Sequence, residues 1–416
     1  MNSGKEFLKV YGTQLKKNRF RLAAGGFAAI LLIIVSAGTV NGRNLILCAL
    51  LGIGCGCCIG LPKPVLSMKT DIILNLLMLG IYAFLVPRRI FWRTEFALDN
   101  HMSGLFPGAA FFNICIILIL FFMILFLAQR TSLALGLTGI VCLFFTVVNH
   151  YVTAFRGASI SLSDIRAVRT AVTVAGAYKY SISAELWKSI VYDLFFILLG
   201  FRIDVRLKGV KYHAVITTAA VMGLVVCFCL YHFSSYWEVD GINGENGNIR
   251  GGEKPYGAYL YLIVTGKASG MQKPLDYSDS EVTKIAEKTK EQYQGSDQET
   301  SLKPHIIFIM NETWSDLQVL GNLEVTADYL EFYHSLDKNT KKGYVYVDVL
   351  GGMTCNSEFE ALTGDAMSLL DIAAIPYEMQ VDHLMESLAT VLKKQGYYAL
   401  AMHPNVAVSW NRGPVI

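Results

Sequence analysis

Charge is what this chain lacks first. Only 17% of its 416 residues are charged, while 53% are hydrophobic. A soluble domain carries about 25% charged residues. The deficit is uneven: residues 22–232 are dominated by long apolar runs, whereas 233–416 have an ordinary soluble composition. That contrast excludes a single soluble globule and predicts a membrane half with a soluble half attached to it. A net charge of +3 is too small and too dispersed to indicate a nucleic-acid partner. Most of the basic residues flank apolar runs, where membrane topology accounts for them.

A disulfide framework is missing as well. Eight of the nine cysteines (Cys48, Cys55, Cys57, Cys58, Cys115, Cys142, Cys227 and Cys229) lie in apolar runs, where a thiol behaves as a small hydrophobe. Cys55, Cys57 and Cys58 have no histidine or carboxylate beside them, which argues against a metal cluster there. The soluble half holds Cys355 alone and so makes no internal disulfide. No internal repeat is evident. No small-residue cleavage site leads from the first apolar run into a soluble stretch, so that run reads as an uncleaved helix.

The apolar runs are 22–40, 44–62, 71–87, 108–128, 132–150, 187–201 and 214–232. Each approaches the ~20 residues needed to cross about 30 Å of hydrocarbon. The run at 187–201 is the weakest, being short and carrying Asp193. Lys5, Lys9, Lys16, Lys17, Arg19 and Arg21 precede the first run and hold residues 1–21 in the cytoplasm. Seven crossings in 22–232 would place the remainder outside. Arg202, Arg206, Lys208 and Lys211 fit a cytoplasmic loop; Arg88 and Arg89 do not fit the outside position this count gives them. The expectation is therefore an odd number of helices, five to seven. Residues 151–186 are too polar to cross and read as a surface loop or interfacial helix. The stretch 233–302 is an extracellular linker. It is rich in Gly and Asn at its start, has an apolar segment at 256–265 that is too short to cross, and shows helical spacing in EVTKIAEKTKEQY.

Residues 303–416 contain three units of one kind, each a β-type run that ends in polar, ligand-type residues. His305–Met310 has the pattern of a buried parallel strand and runs into Asn311, Glu312 and Thr313. Ligands gather beyond the carboxyl ends of such strands, so Glu312 is placed either to hold a divalent cation or to face a helix dipole. Tyr344–Leu350 alternates like a strand and leads through Gly351 and Gly352 to Thr354, with a helical pattern from Ser357 to Leu362. Thr354 is either a helix N-cap or a hydroxyl nucleophile presented at a helix N-terminus. In the second role it needs a metal or a base to ionise it. Tyr397–Met402 ends in His403, with Trp410 and Arg412 following. Alone, His403 is an ordinary loop histidine; with an arginine nearby it suits an anionic headgroup.

With these residues on one edge, MNET at 310–313, GGMTCNSEFEALTG at 351–364 and HPN…WNR at 403–412 resemble the extracellular domain of lipoteichoic acid synthases and related phosphoglycerol transferases. That family lies in the alkaline-phosphatase/sulfatase superfamily. The FRG segment at 155–157 and KPLDYS at 273–278 are similar to it too. The resemblance covers roughly 150–416, and its threonine motif is the most specific part. It implies a polytopic α-helical membrane domain followed by an extracellular α/β, sulfatase-like domain. It implies Glu312 and Thr354 as ligands of a divalent metal, Mn²⁺ with Mg²⁺ as the alternative. Thr354 is also the implied nucleophile, and His403, Trp410 and Arg412 line the implied substrate pocket. Asn405 stands where some relatives carry an acid. The implied activity moves glycerophosphate from phosphatidylglycerol, or a similar anionic lipid, to a glycolipid or polymer of the cell envelope.

One departure matters. The family completes its metal site with an Asp-His pair that has no counterpart here, because His383 falls in the helical pattern VDHLMESLATVLKK. The expectation is an incomplete α/β domain that binds metal poorly and is inactive as a 416-residue chain. The rival readings are phosphoethanolamine transfer, which the lone Cys355 disfavours, and an inactive membrane scaffold or sensor. A formylglycine sulfatase is disfavoured by the absence of a C-x-P-x-R pattern around Cys355.

Overall fold

The computed structural model describes residues 2–63, 68–98, 105, 108–156, 159–161, 164, 180–204, 222–223, 225, 256–268, 277–292, 303–311, 314–321, 323–349, 354–370, 374–379 and 381–403. The chain divides into two units, Met1–Ser269 and Gly270–Ile416.

The first unit contains α1 (Asn2–Lys17), α2 (Arg19–Thr39), α3 (Arg43–Gly60), α4 (Met68–Ala97), α5 (Ala109–Ala128), α6 (Thr131–Arg156), α7 (Ala184–Gly200) and α8 (Ala258–Ala268). Among the described residues, five helices, α2 to α6, are long and apolar enough to cross a membrane, which makes this a multi-pass membrane protein. Their outward faces stay apolar, as Phe27, Phe84 and Leu127 illustrate, because hydrocarbon rather than water is their solvent. The expected run at 187–201 falls in α7, a helix of 17 residues. Most of the expected run at 214–232 lies outside the described residues.

α4 departs from its expected limits. It continues ten residues past Pro87, to Ala97, with that proline inside the helix. Arg88 and Arg89 are therefore helical residues and not a loop. The Arg88 guanidinium lies over the Trp92 ring, and Arg93 lies 4.2 Å from the Tyr192 centroid. Aromatic faces thus accommodate charge that the topology rule assigns to the other side.

α2 and α3 meet through glycine. Gly52, Gly56 and Gly60 are spaced by four along α3. A Cβ on Gly25 would stand 2.3 Å from the Gly56 carbonyl oxygen, and one on Gly56 would stand 2.5 Å from that of Gly25. Without glycine at these places the backbones could not approach so closely, and such approach is what drives helix association in lipid.

Hydrogen bonds fix which helix ends gather together. Arg202, just past α7, donates to the carbonyls of Cys58 and Leu61 at the end of α3. Asp204 pairs with Arg130 at 2.9 Å, and its backbone N–H donates to the side-chain oxygen of Asn75 on α4 at 3.1 Å. One end of the bundle therefore collects Arg19, Arg21, Lys63, Lys69, Arg130 and Arg202. At the opposite end His150 faces the Ala97 carbonyl at 2.5 Å, and Ser189 donates to that of Arg93 at 3.0 Å. Here too the rings of Tyr151, Phe155 and Tyr180 cluster at the end of α6.

The short apolar segment at 256–265 opens α8, which docks at that opposite end. The Ala258 N–H donates to Glu95 at 2.8 Å, while Asn113 donates to the Tyr256 carbonyl at 2.7 Å and accepts from the Leu260 N–H at 2.9 Å. Gly257 holds φ +74°, and a Cβ there would meet the Asn113 amide at 2.8 Å. Deeper in the bundle, the Tyr259 hydroxyl meets Thr94, which in turn bonds Thr146. These buried polar side chains thus find partners in one another and in backbone groups, as an apolar surrounding demands.

The second unit contains α9 (Asp279–Gln292), α10 (Glu331–Ser335), α11 (Thr354–Thr363), α12 (Pro376–Met379) and α13 (Leu388–Lys394). α9 and α11 match the expected helical patterns. The expected helix over 381–394 forms only from Leu388, because Ser387 and Thr390 make a reciprocal capping box that fixes its start. His383 lies before it, against Asp382 at 2.7 Å.

Among the described residues no β-strand forms, so the expected α/β sheet is not seen there. The runs 305–310, 344–349 and 397–402 are extended without ladder partners, with Ile307 83%, Val345 84% and Tyr398 89% exposed. A parallel strand needs a neighbouring strand to bond and a cover on both faces; the sequence pattern records the preference and not the partner. Lys303 donates to the Gln395 carbonyl at 2.6 Å, which sets the starts of the first and third runs side by side.

Candidate functional site

Thr354 is the first residue of α11, partly exposed, and follows the Gly351–Met353 segment, which lies outside the described residues. Among the described residues its hydroxyl makes no hydrogen bond, in particular none to the backbone of its own first turn. α11 itself is fastened on its inner side by the segment 367–377. Asn356, 1% exposed, donates its side-chain amide to the Ala374 carbonyl at 2.7 Å and accepts a contact from the Cys355 thiol at 3.4 Å. Glu360 accepts from the Met367 N–H at 2.8 Å. Glu358 accepts from the Tyr377 hydroxyl at 3.4 Å, and the Tyr377 ring meets that of Phe359 edge-on. Apolar burial of Cys355, Phe359, Met367, Ile375 and Tyr377 closes the junction.

This arrangement orients a hydroxyl at a helix N-terminus, where first-turn N–H groups can receive an anion. Asn356 was not singled out by the sequence reading. Its signal was present in retrospect, as a polar residue two places after the threonine on an otherwise apolar helix face.

The other expected site residues fare differently. His403 is exposed at the end of the extended run 397–403 and makes no hydrogen bond to Thr354. Glu312, Trp410 and Arg412, like Asn405, lie outside the described residues. The structure therefore describes Thr354 and His403 but does not join them.

A second polar cluster lies between residues 314 and 342. Asp316 takes the Tyr329 hydroxyl at 2.6 Å and the Gln318 N–H at 3.1 Å. His334 on α10 is held on both ring nitrogens, Nε2 at 3.0 Å from Asp316 and Nδ1 at 2.8 Å from Asp328. Lys342 donates to the His334 carbonyl and lies over the Tyr333 ring, which meets Trp314. The bonds from Tyr329 and then His334 hold the Asp316 carboxyl down at about 2. Asp316 and then Asp328 raise the His334 imidazole above its usual range. An imidazole with a carboxylate on each nitrogen is fully satisfied only when doubly protonated. His334 is thus a structural clamp and not a free base.

Among the described residues no group of three or more His, Cys, Asp or Glu side chains could hold a metal ion. The acids nearest Thr354 on its own helix, Glu358 and Glu360, are engaged as above. The described donors do not assemble the expected metal site.

Residues 304–415 match the sulfatase family model. This stretch is therefore a sulfatase-type domain sequence. A stretch of 113 residues is 36% identical to a protein of Rhizobium meliloti (strain 1021) named "Putative cyclic beta-1,2-glucan modification protein", covering 27% of this chain and 17% of that protein. The chain thus aligns with about a sixth of the length of that relative. No solved structure matches.

Proposed function

We propose that this chain is the membrane-anchored part of an envelope transferase. In this reading it moves glycerophosphate from phosphatidylglycerol, or a similar anionic lipid, to a hydroxyl of a cell-envelope glycolipid or polymer, with Thr354 as the nucleophile. The observation that carries the reading is the presentation of Thr354, whose hydroxyl is unbonded among the described residues on a helix start fastened by Asn356, Glu358 and Glu360. The sulfatase match over 304–415 supports the same superfamily chemistry. Five candidate spans in the same chain support a lipid donor, because they hold the enzyme in the plane where that donor lies.

The chemistry balances in two displacements. Thr354 Oγ1 forms a bond to phosphorus while the bond from phosphorus to the diacylglycerol oxygen breaks, and the threonine proton passes to that leaving oxygen. The acceptor hydroxyl oxygen then bonds to the same phosphorus while the bond from phosphorus to Thr354 Oγ1 breaks, and the acceptor's proton passes to that Oγ1. N–H groups of the first turn of α11 face the non-bridging oxygens. His403, Trp410 and Arg412 are proposed to read the headgroup. A divalent cation on Glu312 and Thr354, Mn²⁺ or Mg²⁺, is a separate proposal, tested by metal analysis of the protein with and without Glu312→Ala.

The relative named for glucan modification favours a glucan-type acceptor over other polymers. The side of the membrane is proposed from the bundle. α8, the last helix of the first unit, roots at the end opposite to Arg19, Arg21, Lys63 and Arg202. By the positive-inside rule that end faces outward, which would put 270–416 outside the cell. The deciding experiment is Thr354→Ala in the full-length protein supplied with headgroup-labelled phosphatidylglycerol. Loss of label transfer and of label bound to protein is expected, and undiminished transfer would sink the nucleophile assignment.

A further inference from the structure

The first helix, α1, has no part in the proposed chemistry. We propose that α1 is an interfacial helix that binds the anionic headgroups of the leaflet at the basic end of the bundle. In the sequence of α1, Lys5, Lys9 and Lys16 recur at helical spacing, and Phe7, Tyr11 and Leu15 recur four residues apart. Lysines and apolar residues each recurring in this way are the pattern of helices that lie in the plane of a membrane surface.

Position argues for the same occupant. α1 is separated from the first candidate span by Asn18 alone, whose φ of −102° and ψ of 27° leave the helical region. The Tyr11 hydroxyl donates to the Pro62 carbonyl at 3.3 Å, just beyond the end of α3. α1 is thus held at the rim of the bundle, level with the ends of α2 and α3. Arg19, Arg21, Lys63, Lys69 and Arg202 stand at this same end. Of the acids described there, Asp204 is taken by Arg130 and Asp71 accepts from the Asn75 side-chain amide at 3.2 Å. The end is strongly cationic, and it is continuous with the membrane-embedded surface. A bilayer carrying anionic lipid is the partner that meets both conditions, since each lysine near such a surface favours binding about fivefold. The inference is independent of the proposed catalytic function.

The test uses the full chain in nanodiscs of phosphatidylcholine alone and of equimolar phosphatidylcholine and phosphatidylglycerol. Amide hydrogen exchange is read over residues 2–17, with α2 and α3 as internal controls for folding. Exchange is expected to be about tenfold slower or more in the anionic discs, and high salt should abolish the difference. Lys5→Gln, Lys9→Gln and Lys16→Gln together should return α1 to its rate in phosphatidylcholine while leaving α2 and α3 unchanged. Equal exchange in the two disc types, whether slow or fast, overturns the proposal. Protection that survives the triple substitution overturns it as well.

Discussion

The side-chain amide of Asn356 donates to the carbonyl of Ala374 at 2.7 Å, two residues beyond Thr354. This bond ties the start of α11 to a segment distant in sequence, so the threonine's direction is set from outside its own helix. A buried amide is a costly choice for that task unless it is satisfied on every side.

Removing that amide should therefore be expensive. Asn356→Ala leaves the Ala374 carbonyl without its donor and is expected to destabilise the second unit by about 1–3 kcal/mol. Denaturant titration followed by hydrogen exchange in α11 measures it. A change within error at α11 would contradict the clamp.

The His334 clamp predicts a pH window. His334 has a raised pKa, so its contribution is fully present below its unfolded value near 6.5 and is lost as pH rises through the higher folded value. Asp316 is lowered to about 2, so its contribution is present above its unfolded value near 3.8 and is lost as pH falls toward 2. Protection of residues 314–335 against exchange should be greatest between these limits and decline on the alkaline side. His334→Gln should remove the alkaline decline while leaving the acid one. An unchanged profile in that variant would show that another group titrates.

At the root of α8, Glu95→Ala removes the acceptor for the Ala258 N–H in an apolar surrounding, a loss of about 1–3 kcal/mol. Gly257→Ala meets both a positive φ and the Asn113 amide, and should loosen the same junction. Faster proteolysis between residues 256 and 268 in both variants, with α2 to α6 intact, is the expected readout.

Between α2 and α3, Gly56→Val puts branched carbon where the Gly25 carbonyl already sits. Separation of the two helices is expected, read as faster amide hydrogen exchange across α2 and α3 than in the unsubstituted chain. Unchanged exchange would show that the close approach is dispensable.

Much of this protein was legible in its residues. Hydrocarbon imposes one simple demand, long uncharged runs, and the expected runs from 22–40 to 132–150 all appear as helices. Helical spacing located α9 and α11 for the same local reason, since each pattern repeats within a turn or two. What the pattern missed depended on partners. The extension of α4 through Pro87 to Ala97 rests on burial of Phe91, Thr94 and Glu95 against other helices. The docking of α8 rests on Glu95 and Asn113, more than a hundred residues away, and no window along the chain contains both sides of that contact.

The candidate site divides along the same line. The sequence by itself determined which residue types stand together, a threonine after two glycines and a carboxylate, a histidine and an arginine after β-type runs, because these are local choices of chemistry. Asn356 and Tyr377, which hold the helix that begins at Thr354, came to light only through tertiary contacts. The tertiary structure also showed that the runs preferring a sheet remain extended among the described residues. Side-chain identity is fixed by the sequence, but direction, burial and pairing are set by contacts made across the fold.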